Sequence, residues 1–179
     1  MEEHRVVPDV VDAAPPALLQ VKYGALEVSE GNVLTPTQVV TSPTHLSWPR
    51  EDNALYTLCL TDPDAPSRDD PKVREVLHWL VVNIPGCDPA AGDTLAHFVG
   101  SGPPSGTGLH RYVYLVYRQP GRLDCDEPRI PNNTAEHRRN FSIRNFAAKY
   151  KLQLVAGNFY QAEYDATSDL IRRQLGVLK

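Results

Sequence analysis

The chain has 179 residues and a mass of 19.9 kDa, the size of one domain rather than two. Eighteen basic against twenty-two acidic residues leave a net charge of −4, which argues against a nucleic-acid partner, and 41% apolar with 22% charged residues excludes a disordered chain. Sixteen prolines in this length, about 9% against an average near 5%, predict many turns and few long helices.

The chain opens MEEHRVVPDVVDAAPP. This stretch is acidic and proline-bearing and lacks the apolar run of a signal peptide, so residues 1–17 are expected to be an irregular segment leading into a single domain. Residues 21–28 and 33–40 read as extended segments split by the turn cluster SEGN. The proline-punctuated SPTHLSWPRED that follows reads as loop. Residues 55–61 (LYTLCLT) are rich in strand formers and stop at DPDAP. Residues 77–84 (LHWLVVNI), 111–118 (RYVYLVYR) and 158–165 (NFYQAEYD) are three further predicted strands. Ser142 can cap a helix in which Ile143, Phe146, Ala147 and Tyr150 share one face, and Thr167 or Ser168 can cap a closing helix. Several strands with turns between them and two short helices predict an antiparallel β-sandwich with helical trim.

Three cysteines, Cys59, Cys87 and Cys125, are too few and unevenly spaced for a disulfide framework, and without a CxxC pair they do not suggest zinc. The longest apolar stretches, residues 79–82 and 112–117, are far too short to span a bilayer. The triplets at Asn132 and Asn140 match the glycosylation pattern but carry no weight without a secretory route. The expectation is a cytoplasmic monomer with no metal and no cofactor.

Three segments carry candidate chemistry. In the first, Thr61-Asp62-Pro63-Asp64-Ala65-Pro66, Asp62 shares a strand face with Tyr56, Leu58 and Leu60 by the two-residue period. On the residues alone a plain turn is the better reading of the motif, since Asp-Pro favours turn initiation. It is not a calcium loop: counting from Asp62, positions six and twelve are Ser67 and Val73, where glycine and glutamate are needed. In the second, His78 falls by the same period on a face with Leu80, Val82 and Ile84; a core histidine is the commoner meaning of such a pattern. The third runs from Gly100 through Ser101, Gly102 and two prolines to His110 and Tyr112. Its glycines allow backbone N–H groups to approach an anion, and His110 and Tyr112 share one strand face. It is not a nucleotide-binding P-loop, because it lacks the Gly-Lys-Ser/Thr end and leads into a strand.

Taken together, TDPDAPSR, the His78 strand and GSGPPSGTGLHRY closely resemble the phosphatidylethanolamine-binding protein family, also called Raf-kinase-inhibitor proteins. The resemblance runs from about Leu18 to Leu175. It implies a β-sandwich and a small surface cavity that takes anionic groups, notably phosphate esters. Carried over by position, Asp62, His78, Gly100, His110 and Tyr112 match pocket residues, Asp64 and Pro66 the first motif, and Ser101 and Gly102 the second. Imidazole N–H groups of His78 and His110, backbone N–H groups around Gly100–Gly102 and the Tyr112 hydroxyl are then the expected donors to a phosphate. Asp62 is expected either to orient a histidine or to face an ammonium. The chain departs from animal relatives at the rim, where Val73 and Val76 replace aromatic residues and Arg172 stands where a tyrosine is usual; Arg172 could clamp an oxyanion or be a solvated helix charge.

The resemblance implies a non-enzymatic binder of phospholipid headgroups or phosphorylated small molecules, able to touch a membrane only peripherally. The same face could regulate a protein kinase or inhibit a serine protease. A hydrolase built on His78 or His110 with Asp62 lacks an evident nucleophile, since Ser101 is not in GxSxG.

Overall fold

The computed structural model describes residues 1–179. Its elements in chain order are the single helical turn α1 (Val6–Asp9), then strands β1 (Ala17–Leu18), β2 (Gln20–Tyr23), β3 (Leu26–Glu27), β4 (Asn32–Val33), β5 (His45–Ser47), β6 (Leu55–Asp62), β7 (Val76–Pro85), β8 (Asp93–Ala96) and β9 (His110–Arg118). Helix α2 (Ile143–Lys149), β10 (Gln153–Ala162) and α3 (Ala166–Gln174) complete the chain. The protein is mostly β with two sheets. The larger has the order β1-β10-β9-β6-β7-β8 with β4 also on β10; the smaller is β3-β2-β5.

The long strands are the segments richest in β-branched and aromatic residues, and their alternation is masked because both faces are buried. On β6, Tyr56, Leu58 and Leu60 enter one core cluster and Cys59 the other. On β9, Tyr112, Tyr114 and Val116 enter the first, and Val113, Leu115 and Tyr117 the second. Val21 and Tyr23 of the small sheet pack into the first cluster. Ile143 and Phe146 of α2, with Val6, Val10 and Val11 from the N-terminal stretch, pack into the second. Residues 1–17 are thus docked onto the sheet around one helical turn interrupted at Val7.

Five sequence expectations need correction, the last of them on β7. Pairing is not wholly antiparallel, since β1 and β4 each run parallel to β10. The close approach at β1 relies on Gly157, where a Cβ would meet Pro15 Cγ at 2.7 Å. Residues 33–40 are not a strand: after Asn32–Val33 the chain turns, with Gln38 N–H donating to the Thr35 carbonyl. The stretch SPTHLSWPRED is not all loop, because β5 lies inside it. In addition, α3 begins earlier than expected. Asp165 is its cap, accepting from Thr167 N–H, and Ser168 closes the reciprocal half of a capping box.

The largest correction concerns β7. Leu60 pairs with Trp79 but Thr61 pairs with Leu77, so His78 is an extra residue in a β-bulge. A second irregularity, between the Leu58–Val81 and Tyr56–Ile84 pairs, surrounds Asn83, whose φ is 57°. The simple two-residue period therefore fails along this strand. Leu80 and Val82 point into the second cluster and Ile84 into the first, while the His78 ring turns toward Tyr112, in the first.

Candidate functional site

The ends of β6 and β9 and the bulge of β7 converge under the C-terminal end of α3. They surround a cavity of about 220 Å³ lined by Asp62, His78, His110 and Tyr112, with Arg138 and Arg172 on its walls. This is smaller than the roughly 300–1,000 Å³ typical of drug-sized sites. Val73, Val76, Ile171, Leu175 and Val177 supply apolar lining.

Asp62 and His110 form the central pair. Asp62 Oδ2 lies 2.9 Å from His110 Nδ1, and Asp62 Oδ1 accepts from the Asp64 backbone N–H at 2.7 Å. On the other side of the ring, His110 Nε2 lies 2.8 Å from Thr107 Oγ1. That hydroxyl donates its hydrogen to the Pro104 carbonyl at 2.7 Å, so it accepts from the imidazole. Both ring nitrogens then carry hydrogen and His110 is an imidazolium. Burial opposes that charge, but the hydrogen bond and charge of Asp62, with Asp64 behind it, prevail and raise the His110 pKa above its usual value.

His78 is the opposite case. Its Nδ1 is 3.0 Å from the Val99 carbonyl, which can only accept, so Nδ1 bears the hydrogen and Nε2 presents a lone pair. Burial lowers its pKa despite the nearby Asp62. The two histidines thus differ in charge, and neither offers the free N–H expected from the sequence. Tyr112 lies between them, stacked on His110 with centroids 6.3 Å apart and edge-on to His78 at 5.4 Å. Its hydroxyl is buried and makes no hydrogen bond.

The remaining candidates divide. Pro66, Gly102 and Arg172 line the cavity. Gly102 is there because α3 presses on it: a Cβ would meet Ile171 Cγ2 at 2.9 Å. Gly100 packs against the backbone of Val40 instead, and the Ser101 hydroxyl is paired with Tyr160 Oη at 2.6 Å; neither lines the cavity. Asp64 does not reach it either. Its side chain is fully buried, bound to Arg111 Nη2 at 2.7 Å and to Arg111 Nε at 2.9 Å, and that guanidinium in turn holds Asp9 and the His4 carbonyl. The second aspartate of the motif therefore ties the N-terminal segment to the sheet. Burial is outweighed by Arg111, which lowers the Asp64 pKa.

Arg138 was invisible to motif reasoning. It is 1% exposed and lines the cavity. Its guanidinium donates to four carbonyls, those of Leu77, His97, Pro131 and Thr134, at 2.8–3.0 Å. No carboxylate neutralises it, and burial pushes its pKa down to about 10. It lies in a loop without periodicity, next to Arg139, and the only signal in the sequence was that dibasic pair.

Comparison with known proteins agrees with the geometry. The family model described as phosphatidylethanolamine-binding protein matches residues 17–161. A Drosophila melanogaster protein named "Putative odorant-binding protein A5" is 37% identical over 180 residues, covering 99% of this chain and 85% of that one. The solution structure of CG7054 matches with a TM-score of 0.76 and 49% identity over 95% of this chain and 97% of the other. A carboxypeptidase Y inhibitor, solved in complex with its cognate proteinase, matches with a TM-score of 0.79 and 28% identity over 92% of this chain and 93% of that one. With its family model spanning most of the sequence, the chain belongs to the phosphatidylethanolamine-binding protein family.

Proposed function

We propose that this protein is a non-enzymatic binder of small anionic groups, with phosphate esters as the class its cavity suits best. The observation that carries the reading is Arg138, a buried guanidinium without a carboxylate partner on the wall of a headgroup-sized cavity. Burying a cation is costly unless it is paired, and an incoming oxyanion supplies the missing partner. The His110 imidazolium, paired with Asp62, is a further cation on the cavity lining. A phosphate that keeps one proton can donate it to His78 Nε2; a dianion makes binding take up a proton there. The two sheets are read as facing one another across the first core cluster as a sandwich, which leaves the cavity at one end.

Catalysis is a poorer fit. Asp62, His110 and Thr107 lie in the order of a carboxylate–imidazole–hydroxyl relay, but its polarity is reversed. A nucleophile must donate to its base, whereas the Thr107 hydrogen goes to Pro104 and the imidazole is already protonated. Cys59 is buried on the opposite face of the sheet, where burial raises its pKa.

Titration of the protein with inorganic phosphate, followed by NMR of the imidazole signals, tests this reading. Shifts at His110 and His78 that vanish in His110→Ala support it; silent imidazoles at millimolar phosphate refute it.

A second reading, inhibition of a peptidase through protein contact, is favoured by the likeness to the carboxypeptidase Y inhibitor. Inhibition of carboxypeptidase Y by the purified protein would support it. No helix is long and apolar enough to cross a membrane. Three free thiols fit residence in a reducing compartment, and the cytoplasm is the proposed location.

A further inference from the structure

Three arginines line the cavity: Arg138, Arg139 and Arg172. The arginines that form ion pairs in this fold are Arg5, Arg74, Arg111, Arg118, Arg122 and Arg144, so none of the three at the cavity is spent on a carboxylate. Asp62 is the single carboxylate in the lining, and both of its oxygens are engaged, one by His110 and one by the Asp64 N–H. The cavity is thus strongly cationic in a protein whose net charge is −4.

Arg139 follows Arg138 in the loop before α2, and Arg172 is in the last turn of α3. Loop and helix are clasped by Ala135 N–H donating to the Leu175 carbonyl at 3.2 Å and Gln174 Nε2 donating to the Asn132 carbonyl at 2.7 Å. Val73, Val76, Ile171 and Leu175 also line the cavity and offer nothing polar to a ligand's substituent.

An ammonium group entering this space finds guanidinium groups on the wall and no free carboxylate. Like charges brought together in a partly desolvated cleft repel strongly. A phosphate monoester carries about −1.5 to −2 charge near pH 7 and meets only complementary charge. Resting on the anion-site reading above, we propose that the cavity selects phosphate monoesters with an apolar substituent over those bearing an ammonium, and that Arg139 and Arg172 determine this selectivity.

The matched probes are ethyl phosphate and phosphorylethanolamine, which differ by one ammonium group. Calorimetric titration at pH 7 is expected to show ethyl phosphate binding tighter by about tenfold. The double variant Arg139→Gln/Arg172→Gln is expected to bind both esters with similar affinity. Its fold can be checked by thermal melting, and Arg139 is exposed. Equal affinities in the wild type, a preference for phosphorylethanolamine, or a preference unchanged in the double variant would each overturn the selectivity while leaving an anion site in place. Failure of both esters to bind would instead overturn the anion-site reading itself. Phosphatidylcholine vesicles containing phosphatidic acid separate the sources. Retention on them assigns the monoester as a lipid headgroup, and ethyl phosphate binding without retention assigns it as a free ester; either supports the selectivity.

Discussion

Asp62 and His110 stand 48 residues apart in the chain, on neighbouring antiparallel strands, and meet with Oδ2 and Nδ1 at 2.9 Å. The carboxylate does not face the ligand as a free group. Its effect is to hold a positive ring beneath the cavity, which reconciles an aspartate with the proposed anion site.

Asp62→Asn should therefore weaken anion binding even though it removes a negative charge. Without the carboxylate the His110 pKa falls, and the ring is neutral over more of the physiological range. Phosphate affinity at pH 7 is expected to drop by roughly threefold to tenfold, the scale of a nearby charge that does not itself hydrogen-bond the ligand. NMR titration of the His110 ring and calorimetry of phosphate binding read the two effects; tighter binding in the variant would refute the assigned role.

Asp64→Asn should act on stability instead. It leaves Arg111 buried with one of its two carboxylates replaced by a neutral amide; because Asp9 still compensates the charge, the cost stays below the about 3–5 kcal/mol of a buried ion left wholly unpaired. Urea unfolding should show a loss toward that range, with residual folded protein binding phosphate nearly as before, since Asp64 lies outside the cavity. A selective loss of binding with unchanged stability would return Asp64 to the site.

The two aspartates show what the sequence could reveal. The long strands were legible because residues 55–61 and 111–118 are dense in strand formers, and α2 because Ser142 precedes a clean apolar spacing and accepts from Asn145 N–H. The shared face of His110 and Tyr112 followed from the two-residue period, and their rings do stack. The His78 face was not legible, because a bulge is a one-residue change in pairing that leaves no mark on hydropathy. Asp62 and Asp64 belong to one motif, yet only the fold shows that one partners a histidine and the other an arginine. Arg138 was missed because its partners are backbone carbonyls, and β8 because four residues give no measurable pattern.

Glu75 sets a pH dependence. It is 4% exposed, accepting from Thr61 Oγ1 at 3.0 Å, and burial raises its pKa from 4.5 to about 7. A folded-state pKa above the unfolded one means stability is fully present below pH 4.5 and declines until the pH passes about 7. The decline is on the order of 3 kcal/mol. His110, whose pKa is raised against the opposing effect of burial by Asp62, adds to the loss as the pH climbs through its folded-state pKa. Glu75→Gln should flatten this dependence, raising the melting temperature at pH 8 and leaving it nearly unchanged at pH 5; identical pH profiles for variant and wild type would refute the assignment.

Gly102→Ala should loosen the mouth of the cavity. The added methyl would meet Ile171 Cγ2 at 2.9 Å and Ile171 Cβ at 3.2 Å, so α3 must shift outward. A cost of about 1–3 kcal/mol is expected from such overpacking. Hydrogen exchange should show faster opening of α3, whereas Gly106→Ala, with nothing near its Cβ, would be strained only through its φ of 79°. Unchanged protection of α3 in Gly102→Ala would show that the helix is not seated by this contact.

The four carbonyls gripped by Arg138 come from β7, from the stretch after β8 and from its own loop, three parts of the chain that meet where the Leu80–Ala96 and Ala96–Ile130 pairings end. On the anion-site proposal, one side chain serves as both tether and receptor. A lineage that abandoned its ligand could not simply discard this residue, because doing so would unfasten one end of the molecule. The recognition chemistry is thereby preserved by the demands of architecture, even where the identity of the guest drifts.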